Sequence, residues 1–144
     1  MIRHATIKDA GTVAALSLKL WPEHSMLESE AYFASALSTP NGAVFLYFAE
    51  SAPIGFAQCE LHNDYVEGTH GGHVGYLEGI YVEPEHRRHG VAAALLAACE
   101  QWARSKECAE FASSCKLENA ESLAFHLHEG FREANRIICF AKKL

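Results

Sequence analysis

Residues Gly75–Ala98 (GYLEGIYVEPEHRRHGVAAALLAA) limit the possible folds more than any other stretch of the chain. The first half is rich in aromatic and aliphatic side chains, and Glu78-Gly79 inside it predicts a bulge or a close approach of backbone to a ligand. Pro84 ends this strand because proline has no N–H to donate to a sheet. A basic turn and Gly90 then lead directly into an apolar helix. Free amides and a positive helix end would meet there, which predicts a phosphate site or, alternatively, an ordinary strand–turn–helix unit.

The remaining sequence predicts further helices and strands around this unit. In chain order the expected elements are a strand at 2–5, a helix-start box at Thr6–Asp9, a helix ending at Trp21-Pro22, a helix at 27–37, hairpin strands at 43–50 and 54–62, a loop at 63–73, a helix from Val91 to about Ser105, a strand at 109–115, a helix at 119–129 ended by Gly130, and one or two strands in 131–144. We find no repeat or linker, so one domain is expected.

Composition excludes several classes of function. The chain has 144 residues and a net charge of −6 without a basic tract, which argues against nucleic acid and favours a cationic or neutral partner. It contains no apolar run near the ~20 residues of a membrane span and no N-terminal secretory pattern. The 5 cysteines are odd in number and lack a CxxC pair, which predicts reduced thiols and a cytoplasmic location.

The spacing Arg87-x-x-Gly90-x-Ala92 resembles the acetyl-CoA signature of the GNAT acyltransferase superfamily. The resemblance implies an α/β (α+β) class and the GNAT fold, a single mixed central sheet with a splayed, bulged strand and about four flanking helices. It implies one N-acetyltransferase domain over residues 1–144, with acetyl-CoA as cosubstrate. The implied cofactor contacts are Ile80, Tyr81, Val82, Arg87, Arg88, His89, Gly90, Val91, Ala92, Asn119 and Ser122.

Acyl transfer to an amine requires removal of a proton from the amine, stabilisation of an oxyanion and acceptance of a thiolate. Glu78, beside the expected bulge, is the candidate base, unless it is an outward-facing strand glutamate. The amide of Gly79 or Ile80 is the candidate oxyanion donor. His126 stands where GNAT proteins often have the tyrosine assigned as acid, so it is either the acid or a packed histidine.

Histidines also raise the question of a metal. The chain has 9, including His70-Gly71-Gly72-His73 and His86-x-x-His89. Neither pattern has the additional ligands or the supporting helix of a zinc site, so we predict no metal.

Several scattered segments look like one branch of the aminoglycoside 6′-N-acetyltransferases. They are Leu20-Trp21-Pro22, Asp64-Tyr65-Val66-x-Gly68-Thr69, Val74–Val82, His86-Arg87-Arg88-x-Gly90-Val91-Ala92, Glu110-Phe111-Ala112-Ser113, His126 and Phe140-Ala141-Lys142-Lys143. The resemblance implies antibiotic resistance by acetylation of the drug's 6′-amine in a ternary complex. The implied substrate contacts are Trp21, Tyr65, His70, Glu78 and Ser114.

Two of these positions depart from the branch, because His70 and Ser114 stand where acidic residues are expected. Nearby acids (Asp64, Glu67 and Glu118) could substitute for them. Trp21 and Tyr65 either wall the sugar cleft or pack as ordinary core residues. The alternatives are acetylation of another amine, such as a polyamine, a small metabolite or a protein N-terminus, and a non-catalytic CoA-binding module. The resemblance also implies a homodimer through the apolar C-terminal segment, the alternative being a monomeric edge strand protected by Lys142 and Lys143.

Overall fold

The computed structural model describes residues 1–144 and contains a five-stranded mixed sheet. The strands, in both chain and spatial order, are β1 (Ile2–His4), β2 (Gly42–Ala49), β3 (Ala52–His62), β4 (Val74–Val82) and β5 (Glu110–Ser113). Neighbouring strands from β1 to β4 are antiparallel, whereas β5 runs parallel to β4. The parallel pair requires a crossover, and the helix after β4 supplies it.

Four helices flank the sheet, as the sequence predicts: α1 (Ala10–Leu20), α2 (Met26–Ala36), α3 (Val91–Ser105) and α4 (Ala120–His128). Their ends carry the expected signals. The Asp9 carboxylate accepts a hydrogen bond from the Thr6 N–H at 2.7 Å, which confirms the helix-start box before α1. Gly130, just after α4, has φ +93°, a conformation that favours glycine at a helix end. A bilayer crossing would need a longer apolar helix than any in this fold.

Each face of the sheet has its own core. Helices α1 and α2 pack on one face, where Val13, Phe33 and Phe56 are buried. Helix α3 covers the other face with Leu95 and Leu96. Burying one such side chain contributes about 1.5–3 kcal/mol, so both layers hold the central strands rigidly. A site on β3 or β4 therefore has a firm support.

Strand β4 contains the bulge that the sequence predicts. Gln58 pairs with Gly79 and Cys59 pairs with Leu77, so Glu78 is an extra residue opposite β3. The extra residue changes which side chains share a face. Ile80 joins the α3 side, whereas Tyr81 packs on the α1 side. Glu78 is thereby left at the centre of the sheet without a cross-strand partner.

The glycine after Glu78 permits a close approach, although its neighbour is a side chain of this protein. A Cβ on Gly79 would lie 2.6 Å from Cζ2 of Trp21 and overlap its ring. Beyond this point the two parallel strands separate, because the pairing of β4 with β5 ends at Leu77 opposite Ser113. The edge of β4 from Glu78 to Val82 is consequently open on that side, and this is the predicted splay.

One prediction about the fold is wrong in the single chain. Residues 131–144 form no strand, and the side chains of Ile138 and Phe140 are 81% and 91% exposed. The segment contacts the 63–73 loop through side chains, and the Asn135 side-chain amide donates a hydrogen bond to the Glu67 carboxylate. The apolar sequence has the composition of a strand, but a strand also needs a backbone partner, and the segment pairs with neither edge strand of this chain, β1 or β5.

Candidate active site

Glu78 contacts a histidine on the neighbouring strand. The Nε2 atom of His62 lies 2.9 Å from Oε1 of Glu78. Glu60, two residues before His62 on β3, presents its carboxylate to the same place, and one ligand atom from each of the three residues lies within 4.8 Å of the other two. All three are half-buried on the α1 face of the sheet. The arrangement combines a potential base with a second negative charge.

A second layer holds this cluster in place. The Tyr76 ring stacks on His62 with centroids 4.4 Å apart and planes inclined by 8°. The Tyr76 hydroxyl donates a hydrogen bond to Oγ of Ser114 at 2.7 Å. Ser114 therefore connects to Glu78 through two intervening side chains, although the sequence indicates only that it is a substrate contact.

The cluster is acidic and has no lysine or arginine partner. Burial first, and then the Glu78 charge, raise the pKa of Glu60. The Tyr32 hydroxyl lies 3.4 Å from Oε1 of Glu60. The pKa of Tyr32 is also raised, mainly by burial. The ion pairs of lysine and arginine all lie elsewhere. A cationic group entering here would meet uncompensated negative charge.

His126 stands on the other side of the open strand edge. Its Nδ1 lies 2.7 Å from the Ser122 carbonyl oxygen, so Nδ1 carries a proton and donates it. Its Nε2 lies 2.8 Å from Oγ of Ser113. Ser113 pairs with Leu77 in the last pair before β4 and β5 separate, and we call this point of separation the fork. The Ser113 hydroxyl therefore connects His126 to the fork.

The turn before α3 has the backbone geometry of an anion site. Arg88 and Gly90 adopt φ of +63° and +80°, and no heavy atom lies within 4 Å of a Cβ built on Gly90. Val91 begins α3 and no side chain caps the helix start, so amides of its first turn are left without a capping partner. Arg88 and His89 are exposed there, and Ala92 lies in the first turn of the helix.

The Arg87 side chain is already held by other groups of this protein. Its Nε donates to the Val82 carbonyl oxygen at 2.8 Å, and its guanidinium lies 5.5 Å from the centroid of the Tyr81 ring. It thus ties the turn back to β4. Asn119 is similarly occupied, because its Oδ1 accepts a hydrogen bond from the Ser122 N–H at 3.0 Å and begins α4.

The predicted substrate residues fall into two places. Trp21 lies over Gly79, next to Glu78. Tyr65 and Ser114 line an open cleft of about 810 Å³ that also includes His62 and His126. His70 is outside the cleft: its side chain is 97% exposed, and its N–H donates to Oε1 of Glu110 at 2.7 Å. That backbone hydrogen bond is the main cause of the lowered pKa of Glu110.

Only Glu60, His62 and Glu78 form a set of three potential metal ligands. One imidazole and two carboxylates suit a divalent transition metal by donor type. The histidine patterns at 70–73 and 86–89 belong to no such set.

Sequence reasoning missed Glu60, His62 and Ser113. A signal for two of them was present, because polar residues at 58, 60 and 62 alternate with apolar residues at 57, 59 and 61. Such alternation places Gln58, Glu60 and His62 on one face of β3. Their proximity to Glu78 depends on the bulge, which shifts the pairing with β4.

This geometry agrees with comparisons to known proteins. Residues 11–131 match the model of the Acetyltransferase (GNAT) family. An aminoglycoside N(6′)-acetyltransferase type 1 from Stenotrophomonas maltophilia is 41% identical over 99% of this chain and 93% of its own length. The chain belongs to the GNAT acetyltransferase family, in the aminoglycoside 6′-N-acetyltransferase branch.

Further family members support the same placement. An aminoglycoside N(6′)-acetyltransferase type 1 from Klebsiella aerogenes is 34% identical over 100% of this chain and 97% of its own length. The structure of AAC(6′)-Iy with the bisubstrate analog CoA-S-monomethyl-acetylneamine superposes with a TM-score of 0.95 at 35% identity, covering 100% of this chain and 98% of that one. AAC(6′)-Iy has also been solved with CoA, with a TM-score of 0.96 at 35% identity and coverage of 100% and 95%. The predicted family, fold and acetyl-CoA cosubstrate are confirmed.

Proposed function

We propose that this enzyme transfers acetyl from acetyl-CoA to the 6′-amine of aminoglycoside antibiotics, by direct attack in a ternary complex. The position of Glu78 carries the proposal, because an extra strand residue places a carboxylate at the fork of the sheet with no arginine or lysine to neutralise it. Relatives named for this activity cover nearly the whole chain. The product would no longer carry a charged 6′-ammonium, which is a route to resistance.

The first step is loss of a proton from the substrate ammonium. Glu78 accepts it, directly or through water, and the free amine attacks the thioester carbonyl carbon. The negative charge of Glu60 beside it favours a cation at this place. Trp21 adds an aromatic wall next to the base, and Tyr65 provides another in the cleft.

The tetrahedral intermediate then carries an oxyanion. An amide of the bulge, at Gly79 or Ile80, donates to it, since the β4 edge has no β5 partner beyond Leu77. Collapse of the intermediate breaks the carbon–sulfur bond and releases the CoA thiolate, and the nitrogen loses its second proton to water to give the neutral amide. Because Nδ1 of His126 already carries a proton, His126 acts as the acid in its imidazolium form, whose Nε2 proton reaches the sulfur directly or through the Ser113 hydroxyl.

Acetyl-CoA binding uses mostly backbone. The amides from Arg88 to Ala92 hold the pyrophosphate at the start of α3, and the open edge of β4 between Ile80 and Val82 pairs with the pantetheine arm. Tyr81 and Arg87 support the turn, because the Arg87 guanidinium lies over the Tyr81 ring. Ser122 and Asn119 lie at the start of α4, the helix that also carries His126.

Two predicted contacts take modified roles in this proposal. His70 contributes by holding Glu110 at the cleft, and Ser114 by holding Tyr76. Glu60 and Glu110 supply the negative charge expected at positions 70 and 114. Among the acids considered from sequence as replacements, Glu67 is already bonded to Asn135.

A thiol-release assay with purified enzyme and acetyl-CoA tests the reaction and its position. Saturable turnover is expected with kanamycin- or tobramycin-type drugs, and it should disappear when a hydroxyl replaces the 6′-amine. A panel of polyamines and short peptides serves as the comparison. Turnover with those amines alone would contradict the aminoglycoside assignment, and CoA binding without any turnover would indicate a non-catalytic module.

The proposal includes a cytoplasmic homodimer. The exposed arm after Asn135 carries Ile137, Ile138 and Phe140 into solvent at 64%, 81% and 91% exposure, which a second copy would cover. The reduced cysteines and the use of acetyl-CoA fit the cytoplasm. Truncation after Asn135 should convert a dimer to a monomer in sedimentation equilibrium, whereas a full-length monomer would contradict the dimer.

A further inference from the structure

His62 has no assigned role, yet it makes the only side-chain hydrogen bond of Glu78. We propose that His62 is a positioning residue that fixes the carboxylate of Glu78 for proton removal from the substrate amine. The inference rests on the proposed function, in which Glu78 is the base.

The bulge creates the need for such a residue. Glu78 is extra in the β3–β4 pairing, so no directly opposite residue constrains its side chain. His62, which pairs with Val74 four residues before Glu78, supplies that constraint from further along β3, with Nε2 at 2.9 Å from Oε1 of Glu78. Both side chains are partly accessible, at 34% and 29%. An unrestrained glutamate there would lose rotamer freedom on each encounter with substrate.

The imidazole is itself firmly held. Tyr76 stacks on it almost in parallel, and the Tyr76 hydroxyl is fixed by Ser114 at 2.7 Å. The ring plane therefore has little freedom to turn. This three-residue chain from Ser114 to His62 has no other evident use, because none of its members contributes to either hydrophobic core.

The hydrogen bond also divides the work between the two carboxylate oxygens. A proton on Nε2 of His62 is donated to Oε1 of Glu78, since a carboxylate can only accept. Oε2 then remains free to accept the ammonium proton of the substrate. The donated bond further offsets repulsion between Glu78 and the Glu60 charge, which lies on the same face.

A double-mutant cycle with Glu78 tests this dependence. His62→Phe keeps an aromatic ring against Tyr76 but removes the donor. With an aminoglycoside substrate, we expect kcat to fall about tenfold, less than the roughly 100-fold that a 1 Å misplacement of a catalytic group can cost, while KM changes less than about twofold. In the Glu78→Gln background the same substitution should change kcat less than about twofold. His62→Gln, which restores an N–H donor, should recover most of the activity.

The matched control is His128→Phe. His128 contacts Glu129 at 3.3 Å, an exposed histidine–glutamate pair away from the fork, so its loss should leave kcat unchanged. Thermal melting of all variants separates folding from chemistry. Equal losses in both Glu78 backgrounds, or full activity of His62→Phe, would overturn the positioning role while leaving wild-type acetylation intact. Wild-type enzyme without turnover on any amine would overturn the proposed function and this inference together.

Discussion

The two halves of the site are built from different materials. The turn before α3 consists of consecutive residues, and its shape comes from backbone, with φ of +63° at Arg88 and +80° at Gly90. The acceptor half is the cluster of Glu60, His62 and Glu78, whose side chains come from β3 and β4. Two of them, His62 and Glu78, are 16 residues apart in sequence. A site built from backbone should keep its function when a side chain changes and lose it when the backbone conformation changes. A site built from side chains should lose its function when one of those side chains is replaced.

The largest effect should come from Glu78→Gln, which acts on the acceptor half alone. Loss of the base should lower kcat by about 100-fold, the lower end of general acid–base contributions. Because the cofactor turn does not contact Glu78, the Kd for CoA measured by calorimetry should stay within about twofold, by the same reasoning that distant sites are independent. Unchanged turnover would remove Glu78 from the mechanism.

The reciprocal change is Gly90→Ala, which acts on the cofactor half. Alanine at φ +80° costs about 1–2 kcal/mol, so the turn should relax away from its anion-binding shape. We expect the Kd for CoA to rise by about tenfold, the factor that corresponds to 1.4 kcal/mol.

Gly72→Ala is the matched control for Gly90→Ala. Gly72 has φ +77° and is equally open, but it lies in the loop before β4. It should cost similar strain without changing the Kd for CoA. An equal weakening of CoA binding in both variants would contradict a local role for the Gly90 turn.

The smallest effect concerns Glu60, where stability and binding should change in opposite directions. Burial and the Glu78 charge raise the pKa of Glu60 in the folded enzyme, so its ionised form destabilises the fold at neutral pH. Glu60→Gln should therefore raise the Tm at pH 7, by about a few degrees at most, and weaken amine binding about several-fold.

The sign with pH follows from the raised pKa. As pH falls below the folded-state pKa of Glu60, the wild-type carboxylate gains its proton first in the folded state, and the penalty decreases. The penalty disappears below the unfolded value of about 4.3, so the Tm difference between variant and wild type should shrink on acidification. A difference that grows toward low pH would contradict this account.

The same contrast explains what sequence could predict. The β4–turn–α3 unit was readable because Pro84, Gly90 and the following apolar helix are local signals, and the structure starts α3 at Val91 as predicted. The cluster of Glu60 and His62 with Glu78 was not readable. Its members meet only through strand register, and a single extra residue determines that register.

The C-terminal error has a related cause. The composition of residues 137–144 indicates a strand, but strand formation depends on a neighbouring backbone that the sequence does not specify. His126 shows the intermediate case. Its place on α4 was predicted from the segment, whereas its connection to the fork passes through Ser113, which only the fold brings near.

The bulge on β4 also has an evolutionary consequence. Removing the single residue Glu78 would let β3 and β4 pair one-to-one from Gly55 to His62, giving a more regular ladder. The shortened protein would keep its cofactor turn and both cores, and it would have no base. Loss of one codon would thus make the sheet regular and remove the base, so selection for stability alone would tend to lower this enzyme's activity.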